Sequence, residues 1–335
     1  MKIAQTDMEA CRSAIKTGSL SFHAASRLLP SAVRDPALVL YAFCRVADDE
    51  VDEGQDKIGA VLRLSERLDL VYKGQPKNGF ADRAFAHVVE EFEIPRALPE
   101  VLLEGLAWDA MERRYDTLSG VLAYSARVAA SVGAMMCVLM KSRAPDTLAR
   151  ACDLGLAMQL TNIARDVGED ARAGRLFLPL QWLAEEGIDP DVLLSRPQSS
   201  EHLCRVTRRL LRQADHHYHR AEAGVPALPF SCRPGIYAAR HIYAGIGAQL
   251  GRAGFDSVTS RASTRRSQKI GWLMLSGLRA AVSPVLPHSA VLHAKPAPEV
   301  AFLVEAAAHR KPVRTRSDAL FEVLAQLEAR SHGPA

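Results

Sequence analysis

The sequence predicts an all-α protein, and three observations support that prediction. Apolar residues recur at helical spacing along almost the whole chain of 335 residues. Runs of alternating β-branched residues are scarce, and the one Asn-Gly pair, Asn78-Gly79, has no such run beside it, which predicts a loop and not a hairpin. Prolines and glycines interrupt the pattern at intervals that suit long helices.

The positions of these breaks and of the apolar stripes predict the helices in order. Asp35 is a suitable N-cap acceptor and Pro36 a suitable first helical residue, so the first helix is expected to begin there. The predicted helices span 36–53, 57–73, 80–92, 99–115, 119–141, 146–169, 199–222 and 234–251. Residues 1–275 are expected to form one helical domain. Residues 276–335 are expected to form a C-terminal appendage that prolines interrupt, with one short helix near 317–329.

Composition argues against several classes of protein. A net charge of +4 is too small to predict nucleic-acid binding. The six cysteines form no CxxC pair, which predicts reduced, buried thiols, and the polar N-terminus does not resemble a signal peptide. No uninterrupted apolar run reaches the length of about 18 residues that a membrane-spanning helix needs, so a cytoplasmic protein is expected. The apolar stretch Ile270–Val282 predicts either a packed core helix or peripheral contact with a membrane surface, such as the inner membrane.

A first acidic cluster lies in the run YAFCRVADDEVDE. At about 100° per residue, Tyr41, Arg45, Asp48 and Asp52 fall on one stripe of a helix. Asp48 and Asp52 are one turn apart, so their carboxylates point the same way, and Asp49 lies beside them.

A second polar cluster lies in the run MQLTNIARDVGED. Asn162, Asp166 and Asp170 are spaced four residues apart, which places them on one stripe of an otherwise apolar helix. Gln159 and Arg165 belong to the same run. One interpretation of both runs is a pair of solvated acidic helix faces.

The other interpretation is a metal and diphosphate site. Like charges one turn apart destabilise a helix by a few tenths of a kcal/mol per pair, and burying them without partners costs far more. Magnesium prefers hard oxygen ligands and is commonly bound by one or two carboxylates together with substrate phosphates. The arginine in each run favours this interpretation, because guanidinium groups bind phosphate oxygens in a bidentate manner.

These two runs, and GRLFLP after the second, resemble the squalene and phytoene synthase family. The N-terminal run SLSF, the pair Arg114-Tyr115 and the later residues Tyr124, Tyr243 and Arg261 extend the resemblance over roughly residues 15–270. In length and tail the chain is most similar to the bacterial phytoene synthases of this family. One departure is a phenylalanine in GRLFLP, where the family usually has tyrosine.

The resemblance implies an isoprenoid-synthase helical bundle with a central cavity, and it implies roles for individual residues. The catalytic residues would be Asp48, Asp52, Tyr124, Asp166 and Asp170. The metal-linked residues would be Asp48, Asp49, Asp52, Asn162, Asp166 and Asp170, with Asp49 in support. The substrate-binding residues would be Ser19, Ser21, Phe22, Tyr41, Arg45, Gln159, Arg165, Tyr243 and Arg261. The ion would be Mg²⁺, with Mn²⁺ as the second candidate.

The activity that the resemblance implies is the head-to-head condensation of two geranylgeranyl diphosphates to phytoene, through prephytoene diphosphate. One alternative is a squalene or dehydrosqualene synthase that acts on farnesyl diphosphate, since motifs do not report cavity depth. A squalene synthase also needs a reductant, and no NADPH is expected here. An alternative of another class is an inactive family member that serves as an assembly or binding protein. The expected partners are prenyl diphosphate substrates and downstream carotenoid enzymes that receive the product, without nucleic acid.

Overall fold

The computed structural model describes residues 3–52, 56–285, 287 and 289–309, and across those residues it contains helices and turns but no β-strand. The prediction of an all-α protein is therefore confirmed. The helices are α1 (Gln5–Gly18), α2 (Leu20–Ser26), α3 (Ser31–Asp52), α4 (Lys57–Tyr72), α5 (Phe80–Phe92), α6 (Ala97–Ala110), α7 (Leu118–Ser125), α8 (Ser131–Leu139), α9 (Pro145–Arg172), α10 (Leu180–Glu185), α11 (Pro190–Ser195), α12 (Glu201–Gly224), α13 (Arg233–Arg252), α14 (Arg266–Val282) and α15 (Ala301–Ala308). A π-helical segment, Ala126–Ala130, joins α7 to α8.

The N-terminal third differs from the prediction. Helix α3 begins at Ser31, so the predicted start at Asp35-Pro36 is wrong and Pro36 lies inside the helix. Pro36 has no N–H to donate, but it is buried in the core, where packing offsets the missing bond. Helices α1 and α2 were not predicted; α2 begins where the Ser19 side chain accepts a hydrogen bond from the Phe22 N–H at 3.2 Å.

Helix α9 lies at the centre of the bundle and packs against α8, α12, α13, α15 and the π-helical segment. Two glycines permit the close approach of α9 to the π-helical segment and α8. A Cβ atom on Gly155 would lie 2.6 Å from the Ala130 Cα atom, and one on Gly133 would lie 2.6 Å from the Ala151 carbonyl oxygen. Larger residues would push these helices apart.

The stretch Leu118–Leu139 is continuous through the π-helical segment and is long and apolar enough to cross a bilayer by length and composition. Because 67% of the residues in its most apolar 18-residue window are buried inside the fold, it is a core element here. The more exposed apolar helix is α14. The core-helix alternative for Ile270–Val282 does not fit the structure, since the Met274 and Leu278 side chains are 73% and 63% exposed.

Helix α14 also crosses residue 275, where the sequence predicts the end of the helical domain. Residues 290–308 pack back against α8, α9 and α12. The predicted helix near 317–329 lies outside the described residues. The division into a domain and an appendage therefore stays a proposal.

Candidate active site

One cavity of about 900 Å³ runs between α2, α3, α9, α13 and the π-helical segment. Polar side chains line one end, and apolar side chains line the rest. All the predicted site residues except Asp49 line it: Ser19, Ser21, Phe22, Tyr41, Arg45, Asp48, Asp52, Tyr124, Gln159, Asn162, Arg165, Asp166, Asp170, Tyr243 and Arg261. Residues from five separate helices thus converge on the polar end.

The two predicted clusters meet at that end. Arg175, in the loop after α9, donates from Nη1 to the Asp52 carboxylate on α3 at 3.1 Å. Its Nη2 atom donates to Asp170 Oδ1 on α9 at 3.4 Å. One guanidinium therefore links the two acidic helices, and the helices face each other across the cavity.

The other arginines of the site are also paired with carboxylates. Arg45 donates from Nε to Asp49 Oδ2 at 3.0 Å and lies 3.5 Å from Asp48. Arg165 and Arg261 both donate to Asp166 Oδ1, at 2.7 Å and 2.8 Å. Each guanidinium thus occupies the position of a counter-ion, and its donors would be available to phosphate oxygens once the carboxylates gained another cation.

Burial and mutual repulsion strain the acidic groups of this site. Burial, and then the charge of Asp52, raises the pKa of Asp48 to about 6. Burial also raises the pKa of Asp170 to about 7, although Arg175 lowers it. Asp166 behaves differently: burial raises its pKa, but the hydrogen bonds from Arg165 and Arg261 outweigh burial and leave it below the usual value. The arginines therefore stabilise the carboxylates of the polar end unequally: Asp166 is well paired, whereas Asp48 and Asp170 are not.

The oxygen donors at this end fit a hard divalent cation that binds together with diphosphate. Asp48, Asp52, Asn162, Asp166 and Asp170 all line the cavity. Among the described residues, no three His, Cys, Asp or Glu side chains lie close enough to hold an ion by themselves. Magnesium sites of this kind use one or two carboxylates and take the remaining ligands from substrate phosphates and water. The donor set therefore fits Mg²⁺ with substrate better than Mg²⁺ alone.

Sequence reasoning missed several further polar residues of the cavity, among them Asp109 and Arg175. Asp109, at the end of α6, accepts a hydrogen bond from the Tyr124 hydroxyl at 3.0 Å through Oδ2, and its Oδ1 atom is buried without a hydrogen-bond partner among the described residues. Burial raises the pKa of Asp109 to about 7. Arg175 stands in the GRLFLP run, and that motif could have identified it as a site residue. For Asp109 the only indication in the sequence was an acidic residue in an otherwise apolar helix.

Aromatic rings surround the junction between the polar and apolar ends. The Tyr124 ring stacks on Phe177 with centroids 5.0 Å apart, so the phenylalanine that replaces the family's usual tyrosine packs directly on the predicted catalytic residue. The Phe22 ring stacks on Tyr41 at 5.5 Å. These faces are placed where they can stabilise a positive charge on a bound hydrocarbon.

The remainder of the cavity is an apolar chamber. Its walls come mainly from the π-helical segment, α8, α9 and the segment after α12, and include Val128, Val132, Met136, Met140, Leu154 and Leu228. Small residues, among them Gly133 and Gly155, lie in this wall where neighbouring helices approach each other closely. The cavity therefore fits an elongated apolar ligand with an anionic head group.

Comparison with known proteins agrees with the geometry. The family profile described as Squalene/phytoene synthase matches residues 15–268. The phytoene synthase of Cereibacter sphaeroides is 66% identical over 98% of this chain and 95% of its own length. The phytoene synthase of Rhodobacter capsulatus is 62% identical over 99% of both chains.

Solved structures share the fold. A dehydrosqualene synthase, crystallised with a ligand, superposes with a TM-score of 0.76 at 29% identity, covering 83% of this chain and 97% of that one. A squalene synthase from Alicyclobacillus acidocaldarius superposes with a TM-score of 0.68 at 22% identity, covering 75% and 95%. The second likeness shows the fold alone, and it confirms the predicted isoprenoid-synthase bundle.

Proposed function

The chain belongs to the squalene/phytoene synthase family, and from this premise we propose that its cavity joins two geranylgeranyl diphosphates head to head. The enzyme is a prenyltransferase of the phytoene synthase type, and its pathway is carotenoid biosynthesis. The observation that carries the proposal for the site is the cavity itself, with facing acidic helices at one end and an apolar chamber behind them.

Substrate binding begins at the polar end. The guanidinium groups of Arg45, Arg165 and Arg261 exchange carboxylate partners for diphosphate oxygens, while the prenyl chains extend into the apolar chamber. Ser19, Ser21, Tyr41, Gln159 and Tyr243 line the same end and orient the head groups.

Asp48, Asp52, Asn162, Asp166 and Asp170 would hold Mg²⁺, or Mn²⁺ as the second candidate, and Asp49 would support them by holding Arg45 in place. When bound, the metal neutralises the leaving diphosphate and so lowers the barrier to its departure. The raised pKa values of Asp48 and Asp170 fit this role, because burial disfavours the charged form of both carboxylates and a bound cation would offset that cost.

The reaction proceeds through allylic cations. Departure of diphosphate from one substrate leaves a cation, which the 2,3 double bond of the second substrate attacks. Loss of a proton closes the cyclopropane of prephytoene diphosphate. Departure of the second diphosphate, rearrangement of the skeleton and loss of another proton give phytoene. The chamber excludes water, which would otherwise trap the cations as alcohols.

The aromatic residues and one acid serve these steps. Phe22, Tyr41 and Tyr124 offer ring faces to the cationic carbons. Two groups are suited to accept the protons: the released diphosphate, and the Tyr124 oxygen, which can pass its own proton to Asp109 across their 3.0 Å hydrogen bond.

Product analysis tests the proposal. We expect geranylgeranyl diphosphate with Mg²⁺ to give phytoene with or without NADPH, and EDTA to abolish turnover until Mg²⁺ or Mn²⁺ is restored. Farnesyl diphosphate should be the poorer substrate. A C30 hydrocarbon as the main product from an equimolar mixture of both substrates would instead support a squalene or dehydrosqualene synthase. Inactivity with both would support an assembly protein, which the complete acidic clusters argue against.

We propose a cytoplasmic enzyme that contacts the inner membrane peripherally and passes phytoene to downstream carotenoid enzymes. The reason is physical: the product is a hydrocarbon without a polar group, so it dissolves in a bilayer and not in water.

A further inference from the structure

Helix α14 is attached to the bundle by one face only. Its buried side packs on α13, where the Trp272 ring fills the space above Gly245, and a Cβ atom on that glycine would lie 2.1 Å from the ring. Ser276 is buried, and its Oγ atom lies 3.0 Å from His241 Nδ1. Ala280 completes this face. The opposite face has no partner among the described residues.

That outer face is apolar. Ile270, Met274, Leu278 and Val282 recur every four residues along it, and their side chains are 41% to 73% exposed. Among the described residues, six of the eleven exposed large hydrophobic side chains lie between residues 270 and 285. Such a concentration is unlike the scattered single exposed apolar residues of ordinary protein surfaces, and it marks an interaction site.

The segment that contains α14 has no acidic residue of its own, although Arg279 pairs with Glu222 on α12, and Arg261 pairs with Asp166 and Glu169 on α9. Residues 257–298 contain no aspartate or glutamate but six basic residues: Arg261, Arg265, Arg266, Lys269, Arg279 and Lys295. Arg265 and Arg266 stand exposed at the start of α14 and form no ion pair with any described residue. Cations at a helix N-terminus oppose the helix dipole, so helix stability does not account for them. They match an anionic surface instead.

The position of α14 links this face to the active site. Residues 261–264 and Lys269 line the polar end of the cavity, and α14 runs outward from there. A surface that contacts the outer face of α14 therefore lies next to the entrance for the diphosphate head groups.

We propose that the exposed face of α14 docks this enzyme on an anionic lipid bilayer. Ile270, Met274, Leu278 and Val282 enter the boundary between head groups and acyl chains, and Arg265 and Arg266 bind lipid phosphates. The inference rests on the proposed function in one respect, namely that substrate chains and product partition into the same bilayer.

Vesicle co-sedimentation of the full chain tests the docking surface. We expect wild type to bind vesicles of phosphatidylcholine with phosphatidylglycerol, and to bind pure phosphatidylcholine more weakly. A Met274→Asp/Leu278→Asp variant should lose binding to both. An Arg265→Gln/Arg266→Gln variant should bind anionic vesicles about thirty-fold less tightly, since each basic residue contributes about 1 kcal/mol near such a surface. Val192→Asp, at an equally exposed apolar side chain on α11, is the matched control and should bind as wild type does.

Two further measurements separate this proposal from the proposed function. The Met274→Asp/Leu278→Asp variant should keep its turnover of detergent-dispersed geranylgeranyl diphosphate. Asp166→Asn should lose turnover and still bind vesicles. If wild type showed no catalysis, the vesicle-binding result would still test the docking surface. If wild type did not bind vesicles, the turnover assay would still test the proposed function.

Three results would overturn the proposal. The first is vesicle binding by Met274→Asp/Leu278→Asp equal to wild type. The second is a change from dimer to monomer in that variant with vesicle binding unaltered, which would assign the face to a second copy of the chain. The third is protease sensitivity of residues 310–335 in that variant, again with unaltered vesicle binding, which would assign the face to this segment.

Discussion

The chain contains two clusters of arginines and aspartates that differ in their burial and in their hydrogen-bond partners. The mouth cluster, at the polar end of the cavity, comprises Arg45, Asp48, Asp52, Arg165, Asp166, Asp170, Arg175 and Arg261. The core cluster, between α9 and α12, comprises Arg150, Asp153, His217 and Arg220. The side chains of Asp153 and Arg150 are 0% and 1% exposed, whereas those of Asp48 and Arg45 are 46% and 43% exposed.

In the core cluster every charge has a fixed partner. Asp153 forms ion pairs with Arg150 at 2.9 Å and Arg220 at 3.0 Å, and His217 Nδ1 lies 2.7 Å from it. The arginines also donate to the backbone of the C-terminal segment: Arg220 Nη2 bonds the Lys295 carbonyl oxygen at 2.6 Å, and Arg150 bonds that of Val291. The cluster therefore fastens residues 290–295 to α9 and α12.

In the mouth cluster the arginines bind carboxylates alone, and no backbone carbonyl of the described residues completes their pairing. Burial raises the pKa values of Asp48 and Asp170. We infer that the same two residue types serve structure when backbone carbonyls complete the network, and we propose that they serve ligand exchange when carbonyls do not.

The largest effect should come from breaking the core cluster. Asp153→Ala leaves the buried guanidinium of Arg150 and the partly buried one of Arg220 without their common anion, and we expect it to lower the free energy of unfolding by about 3–5 kcal/mol. Asp153→Asn keeps the shape and should cost less. Urea denaturation measures both. Asp191→Ala is the control, because Asp191 is 80% exposed in its ion pair with Arg114 and such pairs contribute about 0–1 kcal/mol. An unchanged urea midpoint for Asp153→Ala would show that the two clusters do not differ in this way.

Substitutions in the mouth cluster should act on turnover more than on stability. We expect Asp48→Asn and Asp166→Asn each to lower kcat by about 10² to 10³, since each removes one group that organises charge around the leaving diphosphate. The melting temperature of Asp48→Asn should stay at or above the wild-type value, because a repelling charge is removed. That of Asp166→Asn should fall by a few degrees, because Arg165 and Arg261 lose their shared anion. Steady-state turnover with Asp191→Asn as the surface control measures the contrast. Near-normal rates in either variant would contradict the model of two facing acidic helices.

The smallest expected effect is the pH dependence of stability that Asp109, the hydrogen-bond partner of Tyr124, introduces. Burial raises the pKa of Asp109 from 3.8 in the unfolded chain to about 7. Since the folded carboxyl holds its proton more tightly, its contribution to stability is full below about pH 4 and is lost as pH rises through about 7. Asp109→Asn removes this titration but keeps an oxygen for the Tyr124 hydroxyl.

We therefore expect the melting temperature of Asp109→Asn, relative to wild type, to rise by a few degrees between about pH 5 and about pH 8. The comparison is made in EDTA without substrate, and the titrations of Asp48 and Asp170 cancel because both proteins contain them. A constant difference across this range would mean that the Asp109 carboxyl does not titrate between about pH 5 and about pH 8, and it would contradict the role of Asp109 as acceptor of the Tyr124 proton.

Much of the active site could be predicted because its pattern is local. Asp48 and Asp52, and likewise Asn162, Asp166 and Asp170, share a stripe as soon as the chain is helical, whatever surrounds it. The family motifs then implied the remaining residues of the polar end, and all but Asp49 line the cavity.

Residues whose role depends on distant partners could not be predicted. Arg175 stands 123 positions from Asp52, and Asp153 stands 64 positions from His217. No local spacing indicates such pairs. The start of α3 was misjudged for a related reason: capping preferences at Asp35-Pro36 are worth about 1 kcal/mol, and burial of the neighbouring apolar residues outweighs them.

The sequence by itself determined the eight predicted helical stretches, the two acidic stripes and the family, because helical periodicity and motif identity depend on residues that are close in the chain. Only the tertiary structure decided which arginine meets which carboxylate, that Asp109 stands behind Tyr124, and that the apolar face of α14 points outward. Those outcomes depend on how the helices pack and on which surfaces the packing leaves exposed. The packing is stabilised by contacts between residues far apart in the chain.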